Sequence, residues 1–276
     1  MNQLEFSTAG RRWRVDLSSP FDLAIGIEFD GPQPRFFAER GAGAAPLAVG
    51  SFTGAVGSGA SCNCSVHTLA PHCHGTHTEC VGHLTADATH IAAFTPVPPS
   101  LALVLTVQPA ARGAAPHDVS AASAPTDFVI TRAMLEGVAH CWATDSWTAL
   151  VLRTLPNDVG KRHRLYEGPC PAPYFTVDAM HWVVQRGVTS LVVDLPSLDR
   201  ADDGGTLMAH RTYWGLAPGA TDARHAQRRR ALVTELAFVP ESVADGLYLL
   251  DLQVPAFGAD AAPSRPVIYP LAEISA

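Results

Sequence analysis

The sequence predicts an α/β fold, and three observations carry that prediction. Leu101 to Val107 is an almost unbroken apolar run, as expected of a strand buried on both faces. Thr148 to Thr154 is a second such run, ending in Leu152-Arg153-Thr154. Between it and a third run, Ser190 to Asp199, Val177, Met180, Val183 and Val184 recur at helical spacing. A helix crossing between two buried strands favours a parallel pair.

The other elements follow in chain order. Trp13 to Leu17 alternates and breaks at Ser18-Ser19-Pro20, and Leu23 to Phe29 reads as a second extended segment ending at Asp30-Gly31-Pro32. Residues 39 to 62, rich in Gly, Ala and Ser, read as a long loop or lid leading to the histidine-rich stretch, or as a flexible linker between strands. Ser65 to Leu69 is a strand leading into a histidine-rich stretch, with His67 structural. Thr131 caps a helix carrying Met134, Leu135 and Val138 on one side, and Thr176 caps the crossing helix, with Asp178 in its first turn and Gly187 as its stop. Leu247 to Leu252 and Pro266 to Pro270 read as closing strands. Arg153, at the end of its strand, reads as the partner of a structural carboxylate. The tryptophans Trp13, Trp147, Trp182 and Trp214 read as core residues or as the lining of an aromatic pocket.

Bulk properties narrow the function. The 276 residues are 47% hydrophobic and only 16% charged, enough to bury a large core. A net charge of −7 provides no footprint for nucleic acid, and Arg228-Arg229-Arg230 reads as a solvated helix face. Met1 to Asp16 lacks the apolar centre of a secretion signal, and no apolar run is long enough to span a bilayer. A cytoplasmic protein is expected. Its six cysteines, Cys62, Cys64, Cys73, Cys80, Cys141 and Cys170, then fit best as free thiols or occasional ligands.

The chemistry concentrates in Pro71-His72-Cys73-His74-Gly75-Thr76-His77-Thr78-Glu79-Cys80-Val81-Gly82-His83. Imidazole, thiolate and carboxylate are the groups that hold borderline divalent metals. On an extended backbone His77 and Glu79 point the same way, and continued alternation adds His83. Gly75 can turn the chain so that His72, Cys73 or His74 approaches the same spot.

Gly75-Thr76-His77-x-Glu79-x-x-x-His83 resembles the signature of the metal-dependent cyclase family, which includes bacterial kynurenine formamidases and isatin hydrolases. That signature reads His-x-Gly-Thr-His-x-Asp-x-x-x-His. The resemblance implies that His77 and Glu79 are metal ligands and that His83 is the catalytic acid/base. Glu79 replaces the family's Asp. Strict counting puts Cys73 at the first ligand position, whereas one residue inserted as a bulge puts His72 there. Asp16-Leu17-Ser18, the Leu-Arg-Thr at Thr154 and Asp194-x-Pro196-Ser197-x-Asp199 also resemble family segments. Leu207-Met208-Ala209-His210 is similar to the segment that supplies a later histidine ligand, and Glu235 is the matching late carboxylate.

The resemblance implies one domain over residues 1–276, a mixed β-sheet core with flanking helices in a swivelling β/β/α arrangement, and a homodimer or homotetramer. The expected function is metal-dependent hydrolysis of a carbon–nitrogen bond in an amide or cyclic amide of a small-molecule substrate, with zinc preferred to manganese. The alternative is a non-catalytic or degenerate family member with a closed Cys/His metal site.

Overall fold

The computed structural model describes residues 3–8, 10–113, 123–142, 146–167 and 172–274. Among these, eleven strands form one mixed sheet. In chain order they are β1 (Gln3–Thr8), β2 (Arg11–Asp16), β3 (Phe21–Asp22), β4 (His77–Glu79), β5 (Ser100–Val107), β6 (Ala149–Thr154), β7 (Ser190–Val193), β8 (Leu232–Glu235), β9 (Gly246–Gln253), β10 (Ala261–Pro263) and β11 (Arg265–Ile274). The spatial order is β1-β2-β11-β9-β5-β6-β7-β8-β4-β10, with β3 on β11. The four central strands β5-β6-β7-β8 run parallel. The flanks are antiparallel, so the sheet is mixed, as expected. The helices are α1 (Pro71–His74), α2 (Arg132–Ala139), α3 (Val177–Gln185) and α4 (Met208–Trp214).

Strand alternation divides the core in two. Leu103, Leu105, Leu150, Leu152, Leu191 and Val193 face the layer built by α2, α3 and α4. Ala102, Val104, Ala149, Val151 and Val192 face the other side, under Leu23, Ile91, Phe94 and Val239. The larger side chains thus meet helices and the smaller ones meet irregular backbone. The tryptophans Trp13, Trp147, Trp182 and Trp214 are all buried in the interior.

Both long helices start where the sequence places them. Thr131 Oγ1 accepts from Met134 N, Thr176 Oγ1 accepts from Ala179 N, and Leu135, Val177, Met180 and Val183 are buried. Arg153 bonds to Asp245 and to the Pro240 and Val243 carbonyls, a structural role.

Three expectations are corrected. Leu23 to Phe29 is not a sheet strand: Leu23 N donates to the Pro266 carbonyl and Ile25 N to Thr76 Oγ1, so its backbone is satisfied piecemeal across strand ends. Residues 39–62 are not a plain loop. Gly43–Pro46 pairs with Ser65–Thr68, and Ala48–Val49 with Phe52–Thr53, in two small antiparallel ribbons outside the main sheet. There His67 stacks on Phe29 at 4.3 Å. Arg228 to Arg230 lie in a turn rather than a helix, because the Arg228 guanidinium is drawn inward to the Tyr213 and Val188 carbonyls. Cys62, Cys64, Cys73, Cys80 and Cys141 are free, and Cys170 lies outside the described residues. Among the described residues no helix is long and apolar enough to cross a membrane.

Candidate metal centre

The site is built on β4, a three-residue strand held between β8 and β10. His77 lies opposite Glu235 and Pro263, and Glu79 opposite Val233 and Ala261. Alternation puts His77 and Glu79 on one face. Thr78, between them, faces the other way and bonds to Thr234 Oγ1 and Ser264 Oγ. All three side chains are buried.

The preceding turn carries His72. Pro71 presets the first residue of α1, and Gly75, at φ 154°, ends it in a conformation that L side chains rarely adopt. A Cβ on Gly75 would stand 3.0 Å from Ile27 Cγ1. The backbone before Gly75 is therefore a helical turn, and no β-bulge lies there. Successive helical residues point about 100° apart, so His72 and Cys73 cannot face the same spot. His72 is the one that turns in, with Nδ1 3.2 Å from Glu79 Oε2. Cys73 belongs to none of the ligand-spaced groups among the described residues; its carbonyl accepts from Phe36 N. His74 is also occupied elsewhere, accepting from Ala70 N and donating to the Arg40 carbonyl.

Two distant segments complete the centre. Glu235 ends β8, with Oε1 accepting from Leu198 N at 2.8 Å and Oε2 3.5 Å from His77 Nε2. His210, buried on α4, donates from Nδ1 to Asp199 Oδ2 at 2.6 Å. Its Nε2 stands 2.9 Å from Glu79 Oε1 and 3.3 Å from Glu235 Oε1. The sequence-predicted residues His72, His77, Glu79, His83, His210 and Glu235 thus converge, and Cys73 stays out.

Sequence reasoning missed one residue. Asp260 Oδ2 lies 2.8 Å from His72 Nε2 and 3.3 Å from His83 Nδ1. Nothing in the local sequence Phe257-Gly258-Ala259-Asp260 marks it; only the pairing of β10 with β4 brings it in. The orienting role of Asp199 was also unassigned, although this residue closes the Asp194-x-Pro196-Ser197-x-Asp199 match.

The buried atoms fit a cation. His77 Nδ1–H donates to the Gly75 carbonyl at 3.0 Å, and His210 Nδ1–H donates to Asp199, so each ring when neutral keeps its lone pair on Nε2. These two nitrogens and both Glu79 oxygens are buried without an aligned hydrogen-bond partner. Lone pairs facing carboxylate oxygens at these distances repel unless a proton or a metal ion lies between them. Three groups have ligand spacing: His72–His77–Glu79, Glu79–His210–Glu235 and His72–His83–Asp260. The first two share Glu79.

The electrostatics of the cation-free protein agree. Burial would raise the Glu79 carboxyl and lower the imidazoles, but their mutual attraction wins. Glu79 is held well below the usual carboxylate range by His83 and His210, and His210 well above the usual imidazole range by Glu79, Asp199 and Glu235. His72 is pushed up to about 10, its burial being outweighed by Asp260 and Glu79. Glu235 is lowered despite burial and the nearby Glu79 charge, because His210 and His77 face it.

A family model described as a putative cyclase matches residues 15–200. The chain belongs to this cyclase family. The match covers β4 and its turn but ends before His210, Glu235 and Asp260, which enter the site through the fold. Among solved structures, the cyclase-family chain is similar to a predicted metal-dependent hydrolase from Bacillus stearothermophilus, at 16% identity and TM-score 0.55, covering 91% of this chain and 98% of that one. It is also similar to isatin hydrolase A from Labrenzia aggregata bound to benzyl benzoate, at 14% identity and TM-score 0.56, covering 91% and 93%. A third, described as a novel cyclase, gives a TM-score of 0.60 at 14% identity, covering 91% and 87%. At these identities the likeness shows the shared fold. No curated protein matches the chain.

Proposed function

We propose that this cyclase-family chain is a metal-dependent hydrolase that cleaves a carbon–nitrogen bond in a small amide or cyclic amide, in the manner of arylformamidases. The observation that carries the reading is Glu79, a fully buried carboxylate shared by two ligand-spaced groups, whose oxygens have no aligned hydrogen-bond donor. Structural neighbours described as isatin hydrolases act on a cyclic amide, which supports the substrate class. The closed-site alternative needs a cysteine ligand, and Cys73 is outside the cluster.

His72, His77 and Glu79 would hold one divalent cation, and Glu79, His210 and Glu235 a second. The donors are nitrogen and oxygen only; zinc comes ahead of manganese because such sites bind zinc more tightly. When bound, the ion supplies Lewis acidity, polarising a carbonyl and lowering the pKa of water.

The protein's own groups do the rest. Asp199 and the Gly75 carbonyl fix the rings of His210 and His77, so their Nε2 atoms are pre-aimed at the centre. His83 Nδ1 faces the Asp260 carboxylate, so the proton rests on Nδ1 and Nε2 keeps a lone pair. With a quarter of its side chain exposed, His83 stands at the rim of a buried site. There it takes a proton from the attacking water and returns it to the leaving nitrogen. The buried carboxylates keep the centre anionic and suited to a cation. We place the protein in the cytoplasm as a homodimer or homotetramer, with neither nucleic acid nor membrane as partner.

The test is turnover of N-formyl aromatic amines and lactams by the zinc- and manganese-loaded protein and by His83→Ala. The variant should lose about 10²–10⁴-fold in kcat with metal content unchanged. Undiminished turnover in the variant would remove His83 from the reaction, and a wild type inert on every amide would sink the hydrolase reading.

A further inference from the structure

Asp260 lies outside the histidine-rich stretch, yet a single one of its oxygens touches two histidines of the site. Its backbone is fixed where β10 begins: the Asp260 carbonyl accepts from Cys80 N at 3.0 Å, directly after β4, and the neighbouring Ala259 carbonyl accepts from Ile91 N at 2.7 Å. These bonds hold the residue's backbone beside the strand that bears Glu79. From there Oδ2 reaches His72 Nε2 at 2.8 Å and His83 Nδ1 at 3.3 Å, and the two rings lie 4.3 Å apart with planes tilted by 31°.

An ionised carboxylate only accepts hydrogen bonds, so each nitrogen facing it must carry a proton. For neutral imidazoles this settles both tautomers at once. With a cation in place of the proton between His72 and Glu79, His72 would hold its remaining proton on Nε2 and present an unprotonated Nδ1 on the Glu79 side. His83 holds its proton on Nδ1 and keeps the Nε2 lone pair. The two rings use opposite nitrogens, and one oxygen dictates both.

We propose that Asp260 is a positioning residue which sets the tautomers of His72 and His83 together, so that His72 ligates through Nδ1 and His83 exchanges protons through Nε2. This inference rests on the proposed hydrolase, but its central measurement needs no substrate. Outer-shell carboxylates on ligating histidines typically tighten metal affinity by about 10–100-fold, and that is the loss expected here.

The experiment compares wild type, Asp260→Ala and Asp260→Asn, each labelled with ¹⁵N-histidine and loaded with zinc alone. Imidazole ¹H–¹⁵N correlation spectra assign the tautomers, and calorimetric titration of chelated protein with zinc gives the affinity. In wild type His72 should show Nε2–H and His83 Nδ1–H. In Asp260→Ala the His83 signals should move to a tautomeric mixture and zinc affinity should fall about 10–100-fold. Asn keeps the volume, and because both rings face one atom an amide oxygen there accepts from both and an amide nitrogen donates to both, so Asp260→Asn should keep or invert the two tautomers together. If an amide substrate has been found, both variants should lose kcat with KM little changed and a displaced pH profile. Wild-type tautomers and wild-type zinc affinity in both variants would overturn the proposal. An inert wild type with the predicted tautomer changes would remove the hydrolase reading and leave the role of Asp260 standing.

Discussion

Glu79→Gln tests the centre most directly, because one atom-for-atom change strips a ligand from both groups. Glu79 is fully buried, and its carboxylate belongs to His72–His77–Glu79 and to Glu79–His210–Glu235. The amide keeps the shape and removes the charge. Each group is left with two good ligands, below the three protein ligands that an open zinc site retains. A ligand that binds only the folded state adds about 2.7 kcal/mol at a hundred times its dissociation constant. For a chain of this size about 1 kcal/mol moves Tm by about 2–4 °C, so zinc should raise the wild-type midpoint by about 5–11 °C over chelated protein. In Glu79→Gln the rise should shrink to about 1 °C or less. Scanning calorimetry with zinc, and with chelator, checks both numbers. A variant that keeps the full zinc-induced rise would refute the shared role of Glu79, and a wild type with no rise on either zinc or manganese would refute the metal centre.

Three further predictions concern the residues in and beside it. The cation-free protein holds a proton on His72 up to about pH 10, the Asp260 and Glu79 carboxylates outweighing burial. Loading a metal must expel that proton, so affinity should rise about tenfold per pH unit for each proton released between about pH 6 and 9. Calorimetry in two buffers of different ionisation enthalpy measures the release, and an affinity flat with pH would contradict it. The same shift gives the cation-free fold a stability term that is full below about pH 6.5 and gone above about pH 10. Cys73→Ala should leave zinc stoichiometry and affinity unchanged, since the thiol stands outside the cluster and the backbone bond to Phe36 survives; loss of zinc on elemental analysis would restore Cys73 as a ligand.

What the sequence makes legible here follows from what is local. Buried strands such as Leu101 to Val107 and capped helices such as Thr176 to Gly187 are written in short-range periodicity, and the parallel centre follows from their alternation. The aim of His77 and Glu79 is likewise a property of three extended residues. His72 against Cys73 stays open in the sequence because it depends on whether the backbone before Gly75 is extended or coiled, and Pro71 and Gly75 together decide for a helical turn. Glu235 lies in a segment that reads as strand or helix until its parallel partner β7 is known. Asp260 was invisible because its role exists only across a strand pairing between residues nearly two hundred positions apart. The Leu23 to Phe29 run was misread since its backbone partners come from a hydroxyl and isolated carbonyls, which leave no periodic trace.

The three rungs of β4 have a consequence for how the protein matures. Because alternate residues face opposite ways, sliding β4 by a single position against β8 and β10 would present Thr78 where His77 and Glu79 now stand and turn both ligands toward Thr234 and Ser264. Such a chain would not have a weakened centre but none. Metal occupancy would therefore be a binary readout of correct strand assembly: an ion would stabilise only those molecules whose histidine-rich segment sits in the native register, and slipped ones would gain nothing from it.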